Sequence, residues 1–282
     1  MTLPRLLAPR TAQRVATTLL WSATGATVAL LLFIIGFVLR RGASTLSWDF
    51  LLSSPRHSGA LGGILPTVVS TLYVSAAAVL VAAPLGVAAA VYLAEYTRDG
   101  RLTRLIRGGT EALAGIPSII FGLFGFAFFV TTLGMGWSIL SGGLTLGLMI
   151  LPTVIRTSEE ALRAVPRHYR DVAQSLGASK WQSIRTVVLP AAAPGVMTGV
   201  VLGIGRAVSE TAAVIFTAGV ALKMPWSPFD SARTMSVHFY TLTMEGISDD
   251  MAYGTASVLV MTILVINVGA YAIMNRLTRR YR

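Results

Sequence analysis

Residues 112–155 read ALAGIPSIIFGLFGFAFFVTTLGMGWSILSGGLTLGLMILPTVI, from Ala112 to Ile155, without one formal charge. About 20 apolar residues cross a bilayer as a helix, and in lipid only helices or closed barrels satisfy every backbone polar group. The run is long enough for two crossings. Its centre, Gly134-Met135-Gly136-Trp137 through Ser141-Gly142-Gly143, is rich in turn formers. Working outward, residues 15–39, 57–94 and 251–275 are also free of formal charge. A further stretch, from about Ala191 to Thr217, is interrupted only by Arg206 and Glu210. These are helix lengths, not the short alternating strands of a barrel. The sequence predicts an all-α integral membrane protein, one domain over 1–282, with about six spans. They fall near 17–39, 64–94, 112–133, 142–160, 191–219 and 251–274, with a cytoplasmic loop at 161–190.

Composition agrees. Charged residues make up 12% of the 282 and hydrophobic residues 54%, with a mean hydropathy of +0.69. Soluble domains carry about 25% charged residues, so this chain cannot coat a soluble globule of its size. The chain has no cysteine, which excludes disulfide frameworks, zinc–thiolate sites, iron–sulfur clusters and cysteine nucleophiles. The only lysines are Lys180 and Lys223, in Ser179-Lys180-Trp181 and Leu222-Lys223-Met224. Neither fits a phosphate-cradling P-loop, so the chain is not expected to hydrolyse ATP. There is no HExxH. His57, His168 and His238 are scattered, each expected as a solvated loop residue, and neither a metal site nor a protease is expected.

The net charge of +11 is explained by topology. Basic residues gather at the N-terminus (Arg5, Arg10, Arg14), after the second span (Arg98, Arg101, Arg104, Arg107), after the fourth (Arg163, Arg167, Arg170, Lys180, Arg185) and at the C-terminus (Arg276, Arg279, Arg280, Arg282). These alternate loops share one side, which the positive-inside rule makes cytoplasmic, with both termini there. Arg40 and Arg41 sit against that rule. A nucleic-acid partner would need a basic face with interleaved aromatics, and none is expected. The first span is too long for a signal-peptide core and reads as an uncleaved anchor.

The long cytoplasmic loop carries the most specific pattern. Asp171 to Leu176 has helical composition, Gly177 can break it, and Ser179 can cap a second short helix. Pro190 and Pro194 then reset the chain into the fifth span. The product is a helix–turn–helix elbow exposing Val172, Ala173, Leu176 and Ala178. On physics alone this is either an amphipathic connector or a docking element. Its spacing resembles the loop motif of ATP-binding-cassette importer permeases, Glu-Ala-Ala, three residues, Gly, nine residues, an aliphatic residue, one residue, Leu-Pro. Here the motif stands as Asp171-Val172-Ala173, Gly177, Val187 and Leu189-Pro190, its first two positions changed conservatively. The resemblance implies that these residues couple to an ATPase subunit through the elbow.

More of the chain is similar to the phosphate-permease branch, PstA, of the type I importer family. The similarity lies in Gly62-Gly63-Ile64-Leu65-Pro66-Thr67, Tyr92-Leu93-Ala94-Glu95-Tyr96, Ala114 through Gly125, Leu151 through Glu160, and Gly205-Arg206-Ala207-Val208-Ser209-Glu210-Thr211-Ala212. Where that branch has Gly-Glu-Thr-Ala-Pro, this chain has Ser209-Glu210-Thr211-Ala212-Ala213, so the Gly and the Pro are lost. The resemblance implies the type I importer permease fold. It also implies a heterodimer with a PstC-like permease, two copies of a PstB-like ATPase that bind the ATP and Mg, a PstS-like external phosphate-binding protein, and phosphate as cargo. No cofactor is implied in this chain. The elbow does not discriminate phosphate from molybdate or sulfate. A stand-alone secondary transporter would show inverted repeats, and none is visible. A membrane enzyme lacks a catalytic constellation.

Charges inside spans cost at least about 2.5–3.5 kcal/mol each at the helix centre. Gly195, Gly199, Gly203, Arg206 and Glu210 fall on one stripe of a continuous helix. Small residues let helices approach closely, so the charged face is expected to point into the bundle or a subunit interface. Arg206 and Glu210 are either a self-neutralising structural pair or an anion path in which Glu210 holds Arg206 while phosphate is absent. The resemblance implies the path. Arg156, with Glu159 and Glu160 following it, either snorkels to the interface or belongs to the same path.

Overall fold

A computed structural model describes residues 9–98 and 100–278. Arg5, Arg279, Arg280 and Arg282 lie outside the described residues. The chain opens with α1 (Pro9–Gly42), the short α2 (Trp48–Leu52) and a two-residue hairpin, β1 (Pro55–Arg56) antiparallel to β2 (Leu61–Gly62) with Pro55 opposite Gly62. Then come α3 (Leu65–Val91), closed by a π-helical turn at Tyr92–Tyr96, α4 (Arg101–Ala114), and α5 (Ser118–Gly125), extended by a π-helical turn to Thr132. The central helix is α6 (Ile139–Ala164), followed by α7 (Arg167–Ser175), α8 (Lys180–Ser183) and a π-helical turn running directly into α9 (Leu189–Ser209). The chain ends with α10 (Ala212–Thr217), α11 (Met235–Met244) and α12 (Asp249–Thr278). Five helices are long and apolar enough to cross a membrane, and α4 with α5 makes a sixth if a pair bent by 98° counts as one.

That bend departs from the span expected at 112–133. The α4 helix ends at Ala114, and the chain re-enters helix only at Ser118. Pro117 lacks an N–H and restricts the backbone before it, so Gly115-Ile116-Pro117 cannot continue the helix. Arg101, Arg104 and Arg107 therefore ride on a helix set at 98° to α5 and its π-helical extension.

Side-chain size sets the packing around α6. The Ser138 hydroxyl caps its start, accepting from the Ser141 amide at 3.1 Å. On one side Gly143 and Gly147 face Ala77, Ala78 and Val81 of α3, and Gly86 of α3 faces Val154. On the other, a Cβ at Gly195 of α9 would collide with Ala161, one at Gly199 with Thr157, and one at Gly203 would touch Ile150 and Val154. Small-residue stripes of this kind replace the hydrophobic drive that lipid removes. Val74, Leu146, Met149, Ile150 and Val214 form the core on one end. Ala90, Leu162, Ile184 and Val188 form a second core beneath α7 and α8.

The expectation of solvated loop histidines holds for His57, and for His168 only in its exposure, since His168 lies in the first turn of α7. His57 and His168 are exposed. His238, on α11, is only 1% exposed and packs against Gly59. Burial, and then the nearby Arg233 charge, lower its pKa from 6.5 to about 4. The imidazole is buried because α11 folds back under the hairpin, a long-range contact that local composition does not report.

Two predictions follow from this packing. Gly199→Val should push α9 off α6 and lower the melting temperature in detergent by an amount matching about 1–3 kcal/mol of overpacking. Gly205→Ala, where a Cβ meets nothing within 4 Å, should leave it unchanged or raise it slightly, since Ala is the better helix former. Second, the unfolded chain binds a proton at His238 more tightly than the folded one. The stability due to neutral His238 is therefore complete above pH 6.5 and falls as pH drops from 6.5 to about 4. Denaturation at pH 5 should show a loss of about 2 kcal/mol relative to pH 7. His238→Gln should remove that component of the pH dependence.

Candidate functional site

The glycine stripe of α9 lies against α6, but the helix does not continue through it to Glu210. It ends at Ser209, and Glu210 is extended with φ −72° and ψ 132°. The Ser209 hydroxyl donates to the Gly205 carbonyl at 3.0 Å, a side-chain bond that competes with the helix ladder. The Glu210 carboxylate accepts from the Ala213 amide at 3.3 Å and so caps α10. The Glu210 carbonyl accepts from the Ser236 hydroxyl of α11 at 2.7 Å. The expected Arg206–Glu210 pairing on one helix face is thus corrected. The break turns the carboxylate toward α10, and the Arg206 side chain has no hydrogen-bond or ion-pair partner among the described residues. Arg206 stands 17 residues beyond Leu189, roughly 25 Å along the axis from the elbow end of α9.

Arg156 lies at another depth. Gly199 faces Thr157 and Gly203 faces Ile150 and Val154, so Arg156 is roughly 10 Å closer to the elbow than Arg206. It pairs with Glu160 at 3.2 Å, both side chains about two-thirds exposed, an arrangement worth little in itself. The pair lines a cavity of about 370 Å³ between α4 and α6 with Thr110, Thr153 and Thr157. The neighbouring Glu159 carboxylate, 10% exposed, takes Arg107 of α4 at 2.9 Å and Arg163 at 3.0 Å. Glu159 is therefore neutralised, and Arg156 keeps only the loose Glu160 contact.

The elbow follows from local chemistry. Gly177 has φ +84°, a left-handed conformation that ends α7 and is strained for any side chain. Ser179 then makes a capping box with Gln182. The Gln182 amide donates to the Ser179 hydroxyl at 3.3 Å, and the Ser179 amide donates to the Gln182 side chain at 2.8 Å. Asp171 is exposed. Val172, Leu176 and Trp181 are exposed by 57%, 82% and 56%, an apolar tip with nothing of this chain upon it. Ala173, expected on that face, is buried instead. It shares the inner side of α7 with Arg170, whose ion pair to Glu95 at the end of α3 turns that side toward the bundle. Val187, Leu189 and Pro190 form the junction from the π-helical turn into α9, each part-buried.

Arg107, Arg170 and Glu95 were not singled out from the sequence. Their pairing spans 52 residues for Arg107–Glu159 and 75 for Arg170–Glu95, which local patterning does not see. The available signal was Glu95 itself, the carboxylate that closes the charge-free run 57–94.

Known proteins identify the family. The family described as binding-protein-dependent transport system inner membrane component matches residues 82–282. The phosphate transport system permease protein PstA 1 of Mycobacterium tuberculosis (strain ATCC 25618 / H37Rv) is 34% identical over 286 residues, covering 99% of this chain and 92% of that protein. The probable ABC transporter permease protein YqgI of Bacillus subtilis (strain 168) is 34% identical over 258 residues, covering 86% and 88%. Among solved structures, a chain of a bacterial alginate ABC transporter in complex with alginate pentasaccharide-bound periplasmic protein superposes with a TM-score of 0.70 at 15% identity. It covers 98% of this chain and 99% of that one. At that identity the likeness concerns the fold, which is that of an ABC importer permease.

The role of Glu210 is open to direct test. As a helix cap, Glu210→Gln should preserve stability, because the amide oxygen still accepts from Ala213, whereas Glu210→Ala should cost about 1 kcal/mol. A counter-ion role would instead make both variants equally damaging. Thermal unfolding of the three proteins in one detergent decides between them.

Proposed function

Since the chain belongs to the family of binding-protein-dependent transport system inner membrane components, and is a multi-pass inner-membrane protein, we propose that it forms half of the pathway of an ATP-driven phosphate importer. The observation that carries this is Arg206, a guanidinium in the last turn of an apolar spanning helix with its nearest carboxylate in sequence turned away to cap α10. Such a charge is costly in lipid unless a polar pathway or an anion meets it. Guanidinium binds tetrahedral oxyanions through paired N–H donors. A single such group, not a cage, suits a transporter that must also release its cargo.

Arg156 supplies a second station nearer the elbow, where the loosely held Glu160 can give way to an arriving anion. Glu210 acts indirectly, by holding the break that leaves Arg206 free. The partners in this reading are a PstC-like permease, two PstB-like ATPases and a PstS-like external binding protein. ATP and Mg²⁺ belong to the ATPase, and this chain has no catalytic activity of its own. Both termini and the elbow 161–190 face the cytoplasm, consistent with their basic residues. The exposed Val172, Leu176 and Trp181 dock on the ATPase, and Asp171, Ala173, Gly177, Val187, Leu189 and Pro190 give the elbow its shape and its helical link to α9. Closing of the ATPases displaces the elbow, and the spans reorient around Arg206 to expose it to alternate sides.

The test is uptake of labelled phosphate at micromolar concentration in a host lacking its own high-affinity system, with this chain and its three partners expressed. Arg206→Gln should abolish uptake, as should an ATPase-dead motor. Uptake that persisted without a working motor would establish a secondary transporter instead. An assembled complex that took up molybdate or sulfate, but not phosphate, would keep the permease and change the cargo.

A further inference from the structure

The elbow is joined to the membrane helices by unequal means. From α8 the helix runs without interruption into α9, so any displacement of the elbow reaches α9 covalently. The link to α6 is the extended Val165 and Pro166. The α3 helix is 75 residues distant in sequence and has no covalent route to the elbow except through α4, α5 and α6. Besides the packing of α3 on α6, what ties its end directly to the elbow is Arg170. The Nε of Arg170 donates to the two carboxylate oxygens of Glu95 at 3.0 and 3.2 Å, and Nη2 donates to the same carboxylate. The remaining donors close on the end of α6, Nη1 on the Val165 carbonyl at 2.8 Å and Nη2 on the Leu162 carbonyl at 2.9 Å. The two side chains are 19% and 7% exposed. Ala90, Val91, Leu162, Val165, Ile184 and Val188 pack together at this end of α3, α6 and the elbow. A second and weaker contact, the Lys180 ammonium 4.8 Å from the Tyr96 ring centre, ties α8 to the same turn.

We propose that Arg170 and Glu95 are the positioning pair that makes α3 and α6 follow the elbow, so that ATP-driven displacement moves three spans together and not α9 alone. This rests on the reading of the elbow as the ATPase dock. A bidentate fork between guanidinium and carboxylate resists rotation as well as separation, and its shielding from water keeps it strong. The Leu162 carbonyl takes only the long 3.4 Å bond from the Val165 amide at this helix end, and Arg170 adds a shorter bond to it and one to the Val165 carbonyl, so one side chain holds two helices. Without the pair, the elbow still binds the ATPase and α9 still moves, but α3 and α6 lag and the pathway does not switch sides.

The experiment reconstitutes the complete transporter in liposomes and reads ATP hydrolysed and phosphate imported in the same vesicles. Glu95→Gln and Arg170→Lys should lower phosphate imported per ATP by roughly tenfold, within the usual range of coupling between sites. Binding-protein-stimulated hydrolysis should stay within about twofold of wild type, a smaller change than such coupling produces. The chain has no native cysteine, which allows a rescue. With Glu95→Cys and Arg170→Cys together, the free thiols should leave transport uncoupled, and a short bis-maleimide joining them should restore the ratio. An unchanged ratio in the single variants overturns the proposal. So does a parallel fall of hydrolysis and uptake that the cross-link does not repair, since that marks a merely structural pair. Leu176→Asp, on the exposed tip, separates this from the docking reading. It should strip the ATPase from the complex, and an ATPase that stays bound refutes docking whatever the pair does.

Discussion

The close approach of α9 to α6 is the constraint on which the other features depend. It requires Gly195, Gly199 and Gly203 opposite Ala161, Thr157 and the Ile150–Val154 pair, because a side chain at Gly195 or Gly199 would collide with α6. In lipid, burial of apolar surface does not drive helices together, so contact area and backbone proximity must. That seam fixes the axial offset between Arg156 and Arg206, and it brings α9 to the point where Ser209 and Glu210 end the helix. On the opposite side, Gly143 and Gly147 let α3 close on α6. The three helices therefore form a slab whose spacing is set by glycine positions more than by large core residues.

Within that slab the polar groups are sorted by how firmly they are held. Glu159 is buried between Arg107 and Arg163, and Glu95 is buried against Arg170. Both are expensive to break, since removing one member strands a buried charge. Arg156 and Glu160 are largely exposed and loosely joined, and Arg206 is joined to nothing described. A chain that moves an anion benefits from this division. The tight pairs hold helices in place, and the loose and unpaired guanidiniums remain available to a passing ligand. The break after Ser209 sustains the division, because it takes Glu210 out of reach as a counter-ion while giving α10 a cap.

The elbow shows the same economy of parts. Its outward surface presents Val172, Leu176 and Trp181 with nothing of this chain upon them, and its inward surface carries the Arg170 guanidinium held by the Glu95 carboxylate and two carbonyls. Gly177 makes the turn between the two short helices possible, and the Ser179–Gln182 capping box starts the helix that runs on into α9. The part that meets a partner and the part that transmits its movement are thus opposite faces of the same nine-residue helix, α7.

Reading residues in order determined a good deal. Charge-free runs are long enough to define spanning helices, because lipid admits almost no other backbone arrangement. The elbow's turn was legible in Gly177 and Ser179, since left-handed backbone and helix capping are local properties of those residues. The stripe of Gly195, Gly199 and Gly203 was legible too, because periodicity alone puts it on one face. What the order of residues did not determine was where that periodicity stops. A helix continued through Glu210 would have paired it with Arg206. Only the tertiary contact from Ser236, together with capping of α10, decided otherwise. The burial of His238 beneath the hairpin and the pairings of Arg107 with Glu159 and of Arg170 with Glu95 belong to the same class. Each depends on groups tens of residues apart meeting in a medium where an unpaired charge is costly, and that is a property of the assembled helices, not of any local pattern.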